Sequence, residues 1–251
     1  MRPIVLNLLL LVFAALLFHI RAEAGEFKRS FGVYTGLSIP AKEFGESKTS
    51  VSLRQSEIGF ADLGMSAGIK YLQGLGSRSF KWALDGSVIL NSFDEYGFGK
   101  VFISQHRSEL AHVEADKVTV HCNSWWVNFA LLTGPWVEAQ LSSDLAIYFS
   151  LLGGLYISRV PEASVAGYYG DDEVYIGNVI YSSETAKSFG MAMDFGLKYN
   201  LFTLGSRISY VKLNEVSTTR DANMFGAPGP ETYKKRFPVL LIHIQLGFLY
   251  P

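Results

Sequence analysis

The chain is 251 residues long, with 49% hydrophobic and 14% aromatic side chains and a formal net charge of −1 from 22 basic and 23 acidic residues. A balance that near zero excludes the electrostatic footprint of a nucleic-acid binder. The one cysteine, Cys122, excludes an internal disulfide framework.

The first 24 residues stand apart. Met1 and Arg2 precede an apolar run from Ile4 to Ile20 broken by Asn7 and His19, and Ala22-Glu23-Ala24 supplies a small-x-small cleavage site. Residues 1–24 read as a cleaved secretory signal peptide, the alternative being an uncleaved anchor. Cleavage takes away Arg2, Arg21 and Glu23, leaving 20 basic and 22 acidic side chains in residues 25–251. With no cysteine at the cleavage site, the expected product is exported but not lipidated. Its most apolar stretches, LAIYFSLLGGLYI at 145–157 and VLLIHIQLGFLY at 239–250, are too short for a spanning helix of about 20 residues and suit barrel strands of about 9–11.

A period of two then predicts eight strands, at 31–39, 61–71, 80–92, 125–137, 145–158, 188–199, 202–212 and 239–250. The number is even, as single-chain bacterial barrels require. In SFGMAMDFGLKY, at 188–199, the residues Phe189, Met191, Met193, Phe195, Leu197 and Tyr199 share one face, and Ser188, Gly190, Ala192, Asp194, Gly196 and Lys198 share the other. Connections after the first, third, fifth and seventh strands run to roughly 20 to 30 residues, whereas those after the second, fourth and sixth are LQGLGSRS, EAQLSSD and a bend at Asn200-Leu201. A soluble sandwich has no reason to gather its long loops at one end. The expected fold is all-β: an eight-stranded antiparallel up-and-down transmembrane β-barrel over 25–251, with four long extracellular loops.

Aromatic residues gather at the strand ends as two girdles at headgroup depth: Phe31, Tyr71, Phe80, Tyr199, Phe202, Phe248 and Tyr250 toward the periplasm, Trp125, Phe189 and Tyr210 opposite. On the inward face, counting from the periplasmic edge, Lys70, Lys81 and Lys198 form a basic ring. A polar layer of Ser66, Asp85, Asp194, Arg207 and Gln245 lies above it, and His243 shares the inward parity. A two-residue turn at Asn200-Leu201 would set Asp194 opposite Arg207, with Asp85 near enough to share the guanidinium. Gly32, Gly68, Gly196, Gly205 and Gly247 are expected to leave room for the long basic side chains, and Gly134-Pro135 to mark a bulge or bend.

The opening FGVYTGLSIP, the segment NFALLTGPWVEAQLSSDLAIYFSLLGGLYI and the closing aromatic strand resemble the outer membrane protein β-barrel domain family, which is similar in architecture to the OmpA-type eight-stranded membrane domain. The resemblance covers nearly all of residues 25–251. Relatives often carry proline after an Asn-x pair in the fourth strand, where this chain has Ala130 after Asn128-Phe129. What the resemblance implies is a location in the bacterial outer membrane, contact with its lipids, a monomer, and a C-terminal signal read by the barrel assembly machinery. Gln245, Gly247 and Tyr250 match that signal, with Pro251 following where such chains stop. Many OmpA-type proteins append a peptidoglycan-binding domain, and none is expected here after the last strand.

Three functional readings are open. The chain is expected to be no enzyme and to bind no cofactor, serving instead as a structural and binding platform whose loops contact an extracellular ligand, with polar side chains plugging the lumen. The alternative is a narrow porin or transporter for small or apolar solutes. A remoter one is a lipid A-modifying barrel enzyme, against which His243 points inward and is expected to make a hydrogen bond in the polar core. His106, His112, His121 and Cys122 in the second long loop match no compact metal-ligand spacing. Gly170-Asp171-Asp172-Glu173 lacks the ligand pattern of a calcium loop. The apolar stretch VYIGNVIY at 174–181 is expected to carry the third hairpin beyond the membrane.

Overall fold

The computed structural model describes residues 29–45, 59–75, 79–107, 110, 117–170, 172–212, 216–223 and 229–251. The expected signal segment and its cleavage site, His112 and Asp171 lie outside the described residues. The strands are β1 (Arg29–Ala41), β2 (Ala61–Gly74), β3 (Phe80–Phe93), β4 (Lys117–Cys122), β5 (Trp126–Gln140), β6 (Leu145–Arg159), β7 (Ala163–Tyr169), β8 (Val174–Ser183), β9 (Ala186–Tyr199), β10 (Phe202–Lys212), β11 (Val216–Asn223), β12 (Glu231–Lys235) and β13 (Pro238–Tyr250). One helix, α1 (Glu95–Gln105), and a 3-10 turn at Lys42–Phe44 complete the described elements.

Eight strands close an antiparallel barrel in the order β1-β13-β10-β9-β6-β5-β3-β2. They are the eight that the alternation predicts, with ends displaced by no more than three residues. The alternation also sets which way each strand faces. Along β9 the small or charged Ser188, Gly190, Ala192 and Asp194 are buried, while Phe189 is 78% exposed and Met191, Phe195 and Leu197 stand beside it on the outer wall. Large apolar groups outside and small or charged groups inside reverse the order of a soluble sandwich. β9 and β10 are joined by Asn200-Leu201, with Asn200 at φ 52°, a left-handed conformation that asparagine tolerates.

At one end, pairing sets Tyr199, Phe202 and Phe248 in one row and Tyr250, Phe31 and Tyr71 in another. Phe80 begins β3 at the same end, and Trp125, Phe189 and Tyr210 stand toward the other. Of the expected bulge or bend, Gly134-Pro135 forms no bulge: Ala83 pairs with Gly134 and Trp82 with Pro135 in unbroken register, while the ladder to β6 skips both residues between Thr133↔Gly153 and Trp136↔Ser150 without shifting. A Cβ at Gly134 would collide with the Leu151 carbonyl, so glycine here answers to close strand approach.

The long connections are not simply loops. β4, β7, β8, β11 and β12 form a second sheet in the order β12-β11-β8-β7-β4. Each lies two or three residues from a barrel strand in the chain, and β13-β10-β9-β6-β5 run in the same order around the barrel. The second sheet therefore continues five adjacent barrel strands past a short break, such as Val160-Pro161-Glu162, where proline cannot donate to a ladder. VYIGNVIY lies within β8, which pairs with β7 as a hairpin and also with β11. The hairpin thus belongs to a sheet and does not project alone.

α1 closes the sheet's inner face. Asp94 caps it by accepting from the Gly97 amide at 2.8 Å, and Glu95 accepts from the Cys122 amide at 2.6 Å, tying it to β4. Phe98, Val101 and Phe102 pack with Val165, Val179 and Tyr181 into an apolar core separate from that of the barrel.

Candidate functional site

The lumen is the first place where charged side chains meet. Arg207 on β10 directly faces Asp194 on β9. Its Nε and Nη2 donate to Asp194 at 2.6 and 2.9 Å, Nη1 and Nη2 donate to Asp85 at 2.9 and 2.7 Å, and Nη1 also donates to the Tyr34 hydroxyl at 2.8 Å. All five guanidinium N–H groups are engaged in two forks and one single bond. Tyr34 in turn donates to Asp85 at 2.8 Å, and Lys70 Nζ lies 2.7 Å from Asp194 and 3.7 Å from Asp85. Two cations and two carboxylates make a buried cluster of no net charge, which is how such groups tolerate removal from water.

A second cluster lies nearer the short turns. Glu138 accepts from Lys81 at 2.9 Å and from Trp136 Nε1 at 2.9 Å, and pairs with Lys198 at 3.4 Å. Trp136 stacks on Tyr148 at 4.3 Å and has Lys70 Nζ 4.5 Å over its ring, joining the two clusters.

Three expectations are corrected here. Lys70, Lys81 and Lys198 form no common ring: Lys70 pairs in register with Asp85, while Ser66 pairs with Ile89, so Lys70 and not Ser66 is level with the carboxylates. Counting inward from each strand's own end ignores the stagger between neighbouring strands that closure imposes. The glycines make room for phenols more than for basic groups. A Cβ at Gly68 would meet the Tyr34 ring, and at Gly196 or Gly205 the Tyr148 hydroxyl. Gly247 would meet Thr203, and Gly32 the Phe248 carbonyl. His243, expected to be hydrogen-bonded, is fully buried with neither ring nitrogen partnered among the described residues. Its cross-strand neighbours are committed elsewhere, Arg207 as above and the Ser38 hydroxyl to Asn91 at 3.2 Å. Ser66 Oγ is likewise buried without a partner, and Gln245 faces the lumen beside a small cavity without joining the ion pairs.

Toward the second sheet the lumen holds apolar and small polar side chains without further ion pairs among the described residues. There Ile89, Leu152, Val211 and Leu241 lie among the buried polar Ser38, Asn91, Asn128, Ser158 and Ser209, and Trp126 crosses the mouth, edge-on to Phe44 at 5.0 Å and to Phe237 at 5.5 Å. Trp126 Nε1 donates to the Gly59 carbonyl at 2.9 Å. Phe44 and Phe237 come from connections between barrel strands, so the mouth is stoppered by the segments that leave it.

Tyr34, Trp136, Glu138 and Tyr148 are the lumen residues that sequence reasoning missed. The inward run Gly32-Tyr34-Gly36 carried the signal for the first, a phenol flanked by two gaps. The loop candidates do not converge. His106 stacks on Phe102 at 4.4 Å, His121 is exposed on β4, and Glu173 pairs with Lys117. Cys122 donates to the carbonyls of Ser124 and Glu162 at 3.2 and 3.1 Å, and burial pushes its thiol up.

No protein-family model and no curated protein matches the chain. Among solved structures it is similar to Ail, the attachment invasion locus protein of Yersinia pestis, at 12% identity over 90% of this chain and 100% of that one, with a TM-score of 0.41. It is also similar to a major outer membrane protein from Thermus thermophilus, at 10% identity over 89% and 99%, with a TM-score of 0.46.

Proposed function

We propose that the chain is a bacterial outer-membrane barrel that acts as a non-catalytic binding platform. Its apolar outer wall spans the bilayer, residues 1–24 direct export, and the second sheet faces outward to meet an extracellular ligand. The observation that carries this reading is the lumen, obstructed twice: by the cluster on Arg207 and by the stopper of Phe44, Trp126 and Phe237. A barrel obstructed in this way offers solutes no central route, which leaves the outward elements to do the binding. Tyr169, Val174 and Tyr175 are exposed at the tip of the β7–β8 hairpin and suit such contacts. The enclosure of His243 argues against lipid chemistry, since its ring cannot reach a substrate on the outer wall.

The test is recording in planar bilayers together with an epitope tag inserted beside Asp172. The purified protein should be electrically silent, and the tag should be accessible on intact cells. Steady openings of the unmodified protein would move the assignment to a narrow transporter, and a tag reached only after lysis would refute the orientation.

A further inference from the structure

Where the barrel strands pass into the second sheet, a cavity opens that the lumen reading does not use. It is narrow and partly open to solvent. The rings of Phe60, Phe93, Phe98, Trp126 and Tyr181 line it. Its polar groups gather from three strands: Ser183 on β8, Thr218 on β11 and Lys235 on β12, with the two hydroxyls 2.9 Å apart.

Lys235 is 9% exposed, yet among the described residues no carboxylate lines the cavity. Among the described residues its Nζ makes no ion pair and lies 5.4 Å from the centre of the Tyr233 ring and 5.8 Å from that of Phe237. A buried ammonium is costly without an anion. Burial pushes this amine down to about 8. Phe60, on the opposite wall, is held at φ 50°, a backbone state that a bulky residue adopts only under constraint and that clusters at binding sites.

An apolar cleft with a few convergent polar groups is the ordinary form of a small-molecule site. We infer that this cavity binds a small amphiphilic monocarboxylate, its carboxylate on Lys235 Nζ and the adjoining hydroxyls, its apolar tail among the aromatic rings. One ammonium, with no second basic group lining the cavity among the described residues, matches one negative charge. A phosphate dianion would retain an unpaired charge against apolar walls. The inference goes beyond the platform reading and holds whether or not the lumen conducts.

The full chain, refolded in detergent micelles, is titrated calorimetrically with 3-phenylpropanoate and with the uncharged 3-phenylpropanamide. The acid should bind saturably and at least tenfold more tightly than the amide, and Lys235→Met should abolish that preference while leaving amide binding in place. Equal binding of acid and amide, an undiminished preference in the variant, or displacement of the acid by equimolar inorganic phosphate would overturn the assignment. Should the variant fail to refold, the unmodified chain answers the question by itself. The titratable and charged groups on the elements around Lys235 include Tyr233 on its own strand, Tyr181 lining the cavity, and Arg220, which is buried on β11 and pairs in register with Tyr181. The preference for acid over amide must therefore fade between pH 7 and pH 10 as the amine loses its proton, and a preference constant over that range refutes the site.

Discussion

Arg207 shows how a single side chain can be both costly and indispensable. Its five donors meet two carboxylates and a phenol in a cluster that is neutral only when all its members are present. Arg207→Ala leaves Lys70 facing two buried carboxylates, an imbalance of the kind that costs about 3–5 kcal/mol. Combining it with Asp194→Asn restores neutrality through Lys70 and Asp85, so urea titration of the refolded barrel should find the double variant more stable than the single one. Lys235 makes the opposite case. Its amine is held at about 8, below the ordinary 10.5, so between those values the unfolded chain binds the proton that the folded chain has released. Stability must then rise with pH across that window, by up to about 3 kcal/mol. Lys235→Met should flatten that part of the profile in denaturant titrations from pH 7 to 11.

Single strands carry predictions of their own. Met193 lies on the outer face of β9, in cross-strand register with Ile208 and Leu151. Met193→Arg should disfavour insertion by about 2–4 kcal/mol, the usual cost of a basic side chain at the midplane, as measured by folding into vesicles. Truncation after Leu246 removes the pairings of Gly247 to Tyr250 with β1, together with that of Phe248 with Phe202. The seam then stays open, and the shortened chain should be degraded or remain periplasmic, as cell fractionation would report. The strands were legible in the sequence because each presents one face to a crowded interior and one to an apolar exterior, and that contrast survives in the residue pattern. Asp194 against Arg207 was legible too, since a two-residue turn leaves a hairpin one register. Glu138 was not, because EAQLSSD reads as a turn until β5 is seen to run on to Gln140. The second sheet escaped for a different reason. Its strands are short or polar, KVTVHC alternating over only six residues and VSTTRDAN being mostly polar, and their partners lie in other connections, so nothing local announces the pairing.

The whole molecule has two obstructions in series, at different heights and of different chemistry. Opening one alone should not produce a pore. Arg207→Ala and Trp126→Ala should each remain silent in planar bilayers, and only the double variant should conduct. Conductance from Arg207→Ala alone would mean that the aromatic stopper is permeable and that the ion pairs are the working barrier.

The passage of five barrel strands into the second sheet has a mechanical consequence. A pull on the tip of the β7–β8 hairpin is transmitted lengthwise into β6 and β9, whose paired register runs from Leu145↔Tyr199 to Ser158↔Ala186. Load applied along a ladder is shared by its hydrogen bonds together, whereas load applied across it breaks them one at a time. A sheet tethered in this manner would hold under tension, with the barrel staves serving as its anchor.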